Sequence, residues 1–466
     1  MSIPVTDILN NLPEEDSTNF RSKNKSLFEA NNKACIVIDD DPTGNQTVYN
    51  IPLLTTWDVD TLVYELKQSS VFFILTNSRS LSAEHSKKIY KEIAHNIKKA
   101  SEITGKDFTL VSRSDSTLRG HFPLEPNTLK DSLGLDEAIS VFIPVMFEGH
   151  RVTLNDTHFI IEGDALIPVS ETPFAQDHSF KYSQSNLKAY IEEKSQGEIK
   201  SSEVYSFSLD SIRNADTEVL SESILKIPTG RYCIFNSLNY CDLDKVAHAL
   251  LLAEKSGKHV IYRTSSSFIP SYIGLESKGL IDKDNLLSYK TSHGGLTVVG
   301  SYVKKSSEQL KKALELFDSN TIIEVDIASI LGDASKDYIT SIIQKTDTNL
   351  KSGKDTIVFT SRKLVTGKDA SSTINIASTI SNALVSIING LKTRPKYLIA
   401  KGGITSHDLA TKGLKMKRSE VIGQIKQGIP VWKMGNDTKF PKLHFIVFPG
   451  NVGTTNTLKE VITKLS

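Results

Sequence analysis

Cysteine, long apolar runs and an excess of charge are what this sequence lacks. Its three cysteines, Cys35, Cys233 and Cys241, include no C-x-x-C pair, so we expect reduced core residues rather than disulfides or metal ligands. No run of about 18 apolar residues occurs, so no membrane-spanning helix is expected. The polar, acidic N-terminus lacks the apolar segment of a secretory signal. These absences predict a cytoplasmic protein.

Positive and negative charges nearly cancel. The 55 Lys and Arg residues face 54 Asp and Glu residues, which leaves a net charge of +1. Nucleic acid and anionic membranes are therefore not expected as partners, because their binding proteins usually show a basic excess or basic patches. With 466 residues, of which 39% are apolar, the chain has enough material for two or three domains. We expect small-molecule partners and leave a homodimer open.

Two familiar nucleotide-binding signatures are also missing. No G-x-x-x-x-G-K-[ST] sequence occurs, and the Gly-Lys pair within 351–355 lacks both the spacing and the hydroxyl residue. Neither the H-R-D nor the D-F-G motif of protein kinases is present. A nucleotide site in this chain must therefore be built in another way.

Apolar, β-branched runs alternate with helical patterns along the chain. The runs at 34–38, 71–75, 107–112 and 139–145 are continuous, as in parallel strands that are covered on both faces. A second series follows the Gly-rich segment 292–296. The pattern predicts an α/β fold of two lobes, each a mostly parallel sheet flanked by helices.

Polar, Gly- and Ser-rich residues between about 270 and 294 mark the boundary between the lobes. We expect an N-terminal extension at 1–30, a first domain at 31–285 and a second domain at 286–466. The extension is expected to pack on the first lobe without contributing chemistry.

Three segments rich in charged and hydroxyl side chains follow predicted strands of the first lobe. They are DDDPTG at 39–44, TNSRSL at 76–81 and SRSDSTLRGH at 112–121. In open parallel sheets, ligands bind beyond the carboxyl ends of the strands. A carboxylate placed there can deprotonate a hydroxyl, and an arginine can bind a carboxylate through two hydrogen bonds.

Particular roles follow from this chemistry. Asp40 and Asp41 are the candidates for accepting a proton from a substrate hydroxyl. Predicted contacts with a polyhydroxy acid come from Arg79, Arg113, Asp115, Ser116, Thr117 and Arg119. The alternative is a set of solvated turns with internal salt bridges, in which Ser82 simply caps the next helix.

A metal site is the weaker interpretation of the segment 148–160. This segment contains Glu148, His150, Arg151, Asp156 and His158. It has neither an H-x-x-x-H nor an H-E-x-x-H spacing, and isolated histidines are more often structural. We therefore predict no metal ligand in the chain.

Three strand-to-helix junctions of the second lobe contain glycine: VVGSY, AKGGITSHD and FPGNVGTT. Glycine lets backbone N–H groups approach an anion, and a helix N-terminus attracts phosphate. Thr405 or Ser406 is expected to cap the second helix, and Lys401 either assists phosphate binding or lies exposed. Ordinary tight turns are the alternative, but three such junctions in one lobe favour an anionic ligand.

The motifs DDDPTG, TNSRSL, SRSDSTLRGH, YRTSSSF and GGITSHDLA resemble those of the four-carbon acid sugar kinase family. The resemblance runs from about residue 33 to the C-terminus. Members of this family phosphorylate threonate-, erythronate- or oxo-tetronate-type acids with ATP. The resemblance implies an N-terminal sugar-acid-binding domain, a C-terminal nucleotide-binding domain and an active site in the cleft between them.

Matching motifs also imply particular contacts. The pair Asp40 and Asp41, together with Arg79, Asp115 and Ser116, would contact the sugar acid. The implied ATP contacts are Ser301, Gly402, Gly403, Ile404, Thr405, and Gly450 or Gly453. Asp39, Pro42, His121, Asn451, Thr454 and Thr455 depart from the family pattern, which leaves the particular sugar acid open.

The sequence thus predicts an ATP-dependent kinase that phosphorylates a hydroxyl of a small sugar acid, with Mg²⁺ bridging the phosphates. Two alternatives stay open at this point. One is a Mg²⁺-dependent phosphatase or lyase of sugar acids, which would not need ATP. The other is a sugar-acid-binding protein without catalysis.

Overall fold

The computed structural model describes residues 3–4, 12–282, 286, 291–332, 334–362 and 370–466. Part of the predicted N-terminal extension, and residue 285 at the predicted domain boundary, lie outside the described residues.

The strands, in chain order, are β1 (Ile3–Pro4), β2 (Ala34–Asp39), β3 (Ile51–Leu54), β4 (Val71–Leu75), β5 (Phe108–Arg113), β6 (Ile139–Ile143), β7 (Arg151–Leu154), β8 (Thr157–Glu162), β9 (Ala165–Pro168), β10 (Tyr205–Phe207), β11 (Tyr232–Phe235), β12 (Val260–Thr264), β13 (Leu296–Val299), β14 (Ile322–Val325), β15 (Thr356–Thr360), β16 (Leu398–Lys401), β17 (Arg418–Lys426), β18 (Ile429–Met434) and β19 (His444–Phe448).

The α-helices are α1 (Phe20–Asn31), α2 (Val59–Gln68), α3 (Ala83–Thr104), α4 (Leu124–Leu133), α5 (Leu187–Lys194), α6 (Leu209–Asn214), α7 (Thr217–Leu225), α8 (Tyr240–Lys255), α9 (Phe268–Ile273), α10 (Lys304–Ala313), α11 (Ile327–Leu331), α12 (Ser335–Lys351), α13 (Ala370–Gly390), α14 (Gly403–Asp408) and α15 (Thr457–Leu465). A π-helical turn, Leu409–Gly413, continues α14.

The chain forms two compact units. Unit 1 comprises Met1–Val48 and Thr56–Ser277, and unit 2 comprises Tyr49–Thr55 and Lys278–Ser466. The predicted two-domain α/β architecture is confirmed. The predicted domain bounds at 30 and 285 stay predictions.

Unit 1 is built on a parallel sheet with the strand order β10-β11-β6-β12-β5-β2-β4. Strands β2, β4, β6, β11 and β12 are buried along their whole length, as expected for a sheet that helices cover on both faces. A small antiparallel sheet, ordered β1-β9-β8-β7, belongs to the same unit.

Helix α3 shows how the sequence pattern forms the outer layer of unit 1. Its buried residues recur every three or four positions: Ser86, Tyr90, Ile93, Ala94, Ile97 and Ala100. The Ser82 side chain accepts a hydrogen bond from the His85 backbone N–H, so Ser82 caps the helix.

Unit 2 contains a mixed sheet with the strand order β3-β17-β18-β19-β16-β13-β15-β14. Strands β19, β16, β13, β15 and β14 are parallel neighbours, whereas β3, β17, β18 and β19 pair antiparallel. Its core contains Val299, Ile399, Ile446, Leu458 and Ile462, so the parallel strands and helix α15 share one apolar interior.

The antiparallel hairpin β17–β18 has no counterpart in the sequence expectations, which followed continuous apolar runs. Buried and partly exposed residues alternate strictly along β17, as in a strand with one face in the core. Gln427 and Gly428 form the two-residue connection, and Gly428 has a φ of 76°.

Cys35 and Cys233 are buried in strands, as expected for core thiols, but Cys241 is exposed. The expectation of a core position is therefore wrong for Cys241, which lies on helix α8 rather than in an apolar strand. In the part of the chain that is described, no helix is long and apolar enough to cross a membrane.

Helix α1 belongs to unit 1 through a polar contact that is itself buried. Asn24 Nδ2 donates to the backbone oxygens of Asp244, at 2.8 Å, and Ser271, at 2.9 Å. Asn24 Oδ1 lies 2.8 Å from His248 Nδ1. This helix is thereby fixed to α8 and α9.

We expect Asn24→Ala to destabilise unit 1 by about 1–3 kcal/mol, because two buried carbonyls lose their donor. The two tryptophans lie one in each unit, so urea unfolding followed by Trp57 fluorescence in a Trp432→Phe background reports on unit 1. The exposed Glu29→Ala on the same helix is the control. Equal midpoints for the two variants would contradict the assignment.

Candidate functional site

The three charged segments of unit 1 meet at one edge of the parallel sheet. Asp39 pairs in register with Leu75 of β4 and with Arg113 of β5, and Arg113 pairs with Thr264 of β12. The segments that follow these strands therefore start side by side, as predicted from parallel strand ends.

Asp39 and Arg113 form a buried ion pair at the base of this edge. Arg113 Nη1 lies 3.1 Å from Asp39 Oδ1, and Arg113 Nη2 donates to Ser266 Oγ at 2.8 Å. Burial raises the pKa of Asp39 to about 7, a rise that the charge of Arg113 opposes. A methyl group on Gly44 would overlap both charged groups, so only glycine fits above the pair. Arg113 is therefore paired with a carboxylate of the protein itself, that of Asp39.

Asp40 is also inaccessible to solvent. Its Oδ2 accepts a hydrogen bond from Ser114 Oγ at 2.6 Å, and Ser114 Oγ in turn accepts one from Arg263 Nη2 at 2.8 Å. Burial, helped by the charge of Glu125 and opposed by Arg79, raises the pKa of Asp40. Asp40 Oδ1 is buried without a hydrogen bond within the described residues.

The sequence analysis did not select Arg263 as a site residue. It lies inside strand β12, and its Nη1 donates to Glu125 Oε2 at 2.7 Å and to Ser112 Oγ at 2.8 Å. Ser78 and Ser86 donate to the other oxygen of Glu125, so the carboxylate is fully bonded. The sequence signal that could have identified Arg263 is its position as a charged residue within the apolar run VIYRT.

Asp41, Arg79, Asp115 and Arg119 form the accessible part of the cluster. Arg79 pairs with Asp41 and lies 3.5 Å from Asp115 Oδ1, while Arg119 Nε lies 2.8 Å from Asp115 Oδ2. The exposed fractions of these side chains are 15% for Asp41, 19% for Arg79, 14% for Asp115 and 26% for Arg119. These four side chains are partly exposed, so a ligand can reach them.

The arginines keep the accessible carboxylates ionised. Burial acts to raise the pKa of Asp41, but Arg79 and two hydrogen bonds from Thr43 outweigh it and hold the pKa below its ordinary value. For Asp115, burial is likewise outweighed by Arg119 and Arg79, so the pKa is lowered. Both groups are hydrogen-bond acceptors at neutral pH.

Ser116 and Thr117 are buried in the loop after β5. Thr117 Oγ1 donates to Asp115, and Ser116 Oγ lies 3.4 Å from Met146 Sδ. His158 Nε2 lies 2.8 Å from the Ser116 backbone oxygen, and Tyr182 Oη donates to that of Thr117 at 2.8 Å. These bonds fix the loop, and direct substrate contact by the two residues stays a prediction.

Three of the side chains considered for a metal site, Glu148, Asp156 and His158, have separate partners. Glu148 accepts from Tyr240 and Ser267, and Asp156 accepts from Asn236 and Ser206. Burial lowers the pKa of His158 to about 4, which suits a structural imidazole. No group of three or more His, Cys, Asp or Glu side chains in the described residues is arranged to hold a metal ion.

In unit 2, three glycine-containing turns also follow neighbouring parallel strands. Lys401 pairs in register with Val299 of β13 and with Phe448 of β19. The Ser301 N–H donates to the Lys401 oxygen at 3.2 Å, and the Gly402 N–H donates to the Phe448 oxygen at 2.8 Å. The three predicted turns therefore lie together at one edge.

The structure brings together four of the predicted nucleotide contacts, Ser301, Gly402, Thr405 and Gly450. An added Cβ on Gly402 would lie 3.0 Å from Ser301 Cβ and 3.1 Å from Thr405 Oγ1, and one on Gly450 would lie 3.4 Å from Ser301 Oγ. Gly402 has a φ of 121°, a backbone conformation that favours glycine.

Three predicted contacts lie at the start of helices. Gly403 begins α14, the next residue, Ile404, is 61% exposed, and Gly453 packs against Thr457 at the start of α15. The expected cap by Thr405 or Ser406 is wrong, because Gly402 is the N-cap and both residues lie within the helix. Ser406 Oγ instead donates back to the Ala400 and Gly402 oxygens.

Lys401 is fully buried, so of the two alternatives stated for it, exposure is wrong, and assistance in phosphate binding stays a prediction. Its Nζ donates to the backbone oxygens of Pro449, at 2.5 Å, and Gly450, at 3.0 Å, and lies 4.2 Å from the ring centroid of Phe448. Burial, reinforced by the charge of Lys305, lowers the pKa of Lys401 to about 7. This lysine therefore fixes the turn after β19.

Arg362, a residue that the sequence analysis missed, supports the same edge. Its Nη1 donates to the Ser301 oxygen at 2.6 Å, and its Nη2 donates to the Val299 oxygen at 3.3 Å. It follows strand β15, and only its place directly after a predicted strand marked it in the sequence.

We expect Gly44→Ala to lower the stability of unit 1 by about 1–3 kcal/mol, since the new methyl group must displace Asp39 or Arg113 from their ion pair. Thermal unfolding followed by Trp57 fluorescence in the Trp432→Phe background measures this. Glu29→Ala, at an exposed position of the same unit, is the control and is expected to leave the midpoint unchanged. A Gly44→Ala midpoint equal to that of the control would show that the pair tolerates the methyl group.

A pH-dependent stability follows from Lys401. Between about pH 7 and its ordinary pKa of 10.5, the folded chain binds fewer protons at this lysine than the unfolded chain does. Stability from this group therefore rises as the pH rises through that window. In a Trp57→Phe background, Trp432 fluorescence should show the advantage of Lys401 over Lys401→Met growing from pH 6 to pH 9. A difference that is constant with pH would contradict a lowered pKa.

Both units of the chain match models of known domain families. The model of a sugar-binding N-terminal domain matches residues 35–272, and that of a nucleotide-binding C-terminal domain matches residues 296–458. No curated protein matches the sequence.

Among solved structures, a Haemophilus influenzae protein of the DUF1537 family is 18% identical, with a TM-score of 0.63 over 92% of this chain and 99% of that one. A Salmonella typhimurium LT2 protein, provisionally named a tRNA synthase, is 15% identical, with a TM-score of 0.68 over 92% and 98% of the two chains. These likenesses establish the fold. The model of the sugar-binding domain alone matches more than half of this chain, and the match to the nucleotide-binding domain follows it along the sequence. The chain therefore belongs to the four-carbon acid sugar kinase family.

Proposed function

We propose that the chain is an ATP-dependent kinase that phosphorylates a hydroxyl of a small sugar acid. The observation that carries the proposal is the accessible cluster of Asp41, Arg79, Asp115 and Arg119, inside the segment that matches a sugar-binding domain. Ionised carboxylates accept hydrogen bonds from hydroxyls, and guanidinium groups donate to carboxylates. The match of unit 2 to a nucleotide-binding domain supports ATP as the second substrate.

Asp41 is the better placed of the two predicted proton acceptors. Its side chain is partly exposed and ionised, whereas Asp40 has no exposed side-chain surface. Kinases act mainly by positioning the hydroxyl and neutralising charge, so an ionised carboxylate at the hydroxyl is sufficient as a base. We assign Asp41 to this role.

Asp40 and Arg113 act as positioning residues in this proposal. Asp40 is hydrogen-bonded to Ser114, and Arg113 lies 3.9 Å from Asp40 Oδ1. Both hold the turn that presents Asp41. Removing either one is expected to act first on the stability of unit 1 and only through it on turnover.

The turns of unit 2 would bind the phosphates of ATP through the N–H groups at the start of α14 and through hydroxyl groups such as that of Ser301, because the Ser301 and Gly402 N–H groups already donate to the Lys401 and Phe448 oxygens. Ser301, Gly402, Gly403, Ile404, Thr405, Gly450 and Gly453 are the proposed contacts. The carboxylates of unit 1 do not fit a resident Mg²⁺, because Asp39, Asp41 and Asp115 each face a guanidinium group. We therefore propose that Mg²⁺ accompanies ATP as part of the substrate.

The test is ADP release from Mg-ATP in the presence of four- to six-carbon sugar acids, including oxo-acids. We expect release with at least one acid and none with EDTA. We further expect Asp41→Asn to lower kcat by roughly 10²–10⁴-fold, as for loss of a general base. Because the lowered pKa of Asp41 means that its charge also stabilises the fold, the unfolding midpoint of Asp41→Asn should fall at neutral pH, and turnover is compared at a temperature at which both proteins are folded. The midpoint of Asp40→Ala should also fall, because Ser114 loses its buried acceptor.

The exposed Asp136→Asn is a matched control that should leave both turnover and stability unchanged. Full turnover by Asp41→Asn would refute the assignment of the base. Absence of ADP release with every acid, together with absence of any ATP-dependent rise in the unfolding midpoint, would refute the kinase itself.

A further inference from the structure

The arginines assigned so far to the sugar-acid site are already neutralised by the chain. Arg79 faces Asp41 and Asp115, and Arg119 lies between Asp115 and Asp177. The two buried arginines, Arg113 and Arg263, pair with Asp39 and Glu125. A substrate carboxylate that approached any of these four would compete with a carboxylate that is already in place.

Arg151 differs from all of them. In the described part of the chain, its guanidinium group makes no hydrogen bond and no ion pair within 4.0 Å, and its Nε is buried without a partner. A buried or half-buried charge without a partner is costly, because its desolvation is not offset by a bond. An anionic ligand would supply the missing partner.

The backbone of Arg151 is fixed close to the two substrate motifs. Its N–H donates to the Met146 oxygen at 2.9 Å, and the Met146 N–H donates to the Arg151 oxygen at 3.0 Å. Met146 Sδ lies 3.4 Å from Ser116 Oγ and 3.4 Å from Gln46 Nε2. The backbone of Arg151 is therefore paired with that of Met146, whose side chain contacts both the loop after β5 and the segment after β2.

The guanidinium group packs against a glycine. Its Nη1 lies against Gly149, where the methyl group of any other residue would overlap it. Burial lowers the pKa of Arg151 while the charge of Asp115 opposes this, and Arg151 in turn depresses the pKa of His158, which hydrogen-bonds the Ser116 oxygen. The charge of Arg151 is therefore felt by His158, which is hydrogen-bonded to the Ser116 loop, and the carboxylates that act on Arg151 are Asp115 and Glu162.

We propose that Arg151 receives the carboxylate of the sugar acid and thereby sets the preference for acids over neutral polyols. Arg79 and Arg119 then serve to order Asp41 and Asp115 for the substrate's hydroxyls. This inference rests on the proposed function and assigns the acid-specific contact of that site. Because an unpaired guanidinium group needs no displacement of a protein carboxylate, it is the better receptor for an anionic ligand.

The experiment compares D-erythronate and D-threonate with their neutral amides, for the wild type, Arg151→Met and Arg151→Lys. We expect Arg151→Met to raise KM for the acid roughly 10- to 100-fold, as for loss of a charge-assisted contact, with little change in kcat. KM for the amide should not change. Arg151→Lys should restore part of the acid preference, because it keeps the charge but loses the planar fork.

Binding followed as ligand-induced stabilisation gives a readout that is independent of turnover. The acid should raise the unfolding midpoint of the wild type more than that of Arg151→Met. Without ligand, the variant should be at least as stable as the wild type, because no bond is lost. The control is Arg231→Met, which removes an exposed arginine paired with Glu203.

The outcomes separate this inference from the proposed function. If the wild type discriminates acid from amide and Arg151→Met does so equally, the inference is overturned and the kinase proposal stands. If the wild type neither binds nor phosphorylates the two acids or any other acid of the panel, the proposed function fails, and the assignment of Arg151 fails with it.

Discussion

The structure of unit 1 depends on neutralising three consecutive aspartates at the end of one strand. Neighbouring carboxylates at such short range repel one another, and burial raises the cost of each charge. Arg113 compensates Asp39, Arg79 compensates Asp41, and Asp40 is hydrogen-bonded to Ser114 within reach of Arg263. These guanidinium groups come from β5, from the turn after β4 and from β12, so the sheet must be assembled before the acids can be accommodated.

In unit 2 the turns are held together by backbone hydrogen bonds rather than by ion pairs. Its edge carries backbone N–H groups and glycines, and its buried cation, Lys401, is bonded to main-chain oxygens rather than to a carboxylate. A lysine in this setting is easily deprotonated, because no anion repays the loss of hydration. The edge thus presents donors with little fixed negative charge, which suits an anionic ligand.

Much of this architecture could be predicted from the sequence, because continuous apolar runs mark buried parallel strands and charged segments after them collect at one edge. The roles of residues whose partners lie far away in the sequence could not be predicted. The burial of Lys401 depends on the course of the turn after β19, and the pairing of Arg263 with Glu125 depends on the position of α4. The hairpin β17–β18 was within reach of sequence reasoning, since its alternation and its Gln-Gly turn are local signals.

Strand β3 has a consequence for biosynthesis. The chain leaves unit 1 after Val48, contributes β3 to the sheet of unit 2 through its pairing with β17, and returns to unit 1 at Thr56. On the ribosome, β3 emerges more than two hundred residues before the rest of its sheet. Until then the groups of β3 that pair with β17 lack their native partner. In a severed 278–466 fragment the edge of β17 would be bare and prone to pair with other chains. The two units are therefore interdependent in synthesis even though each has its own core.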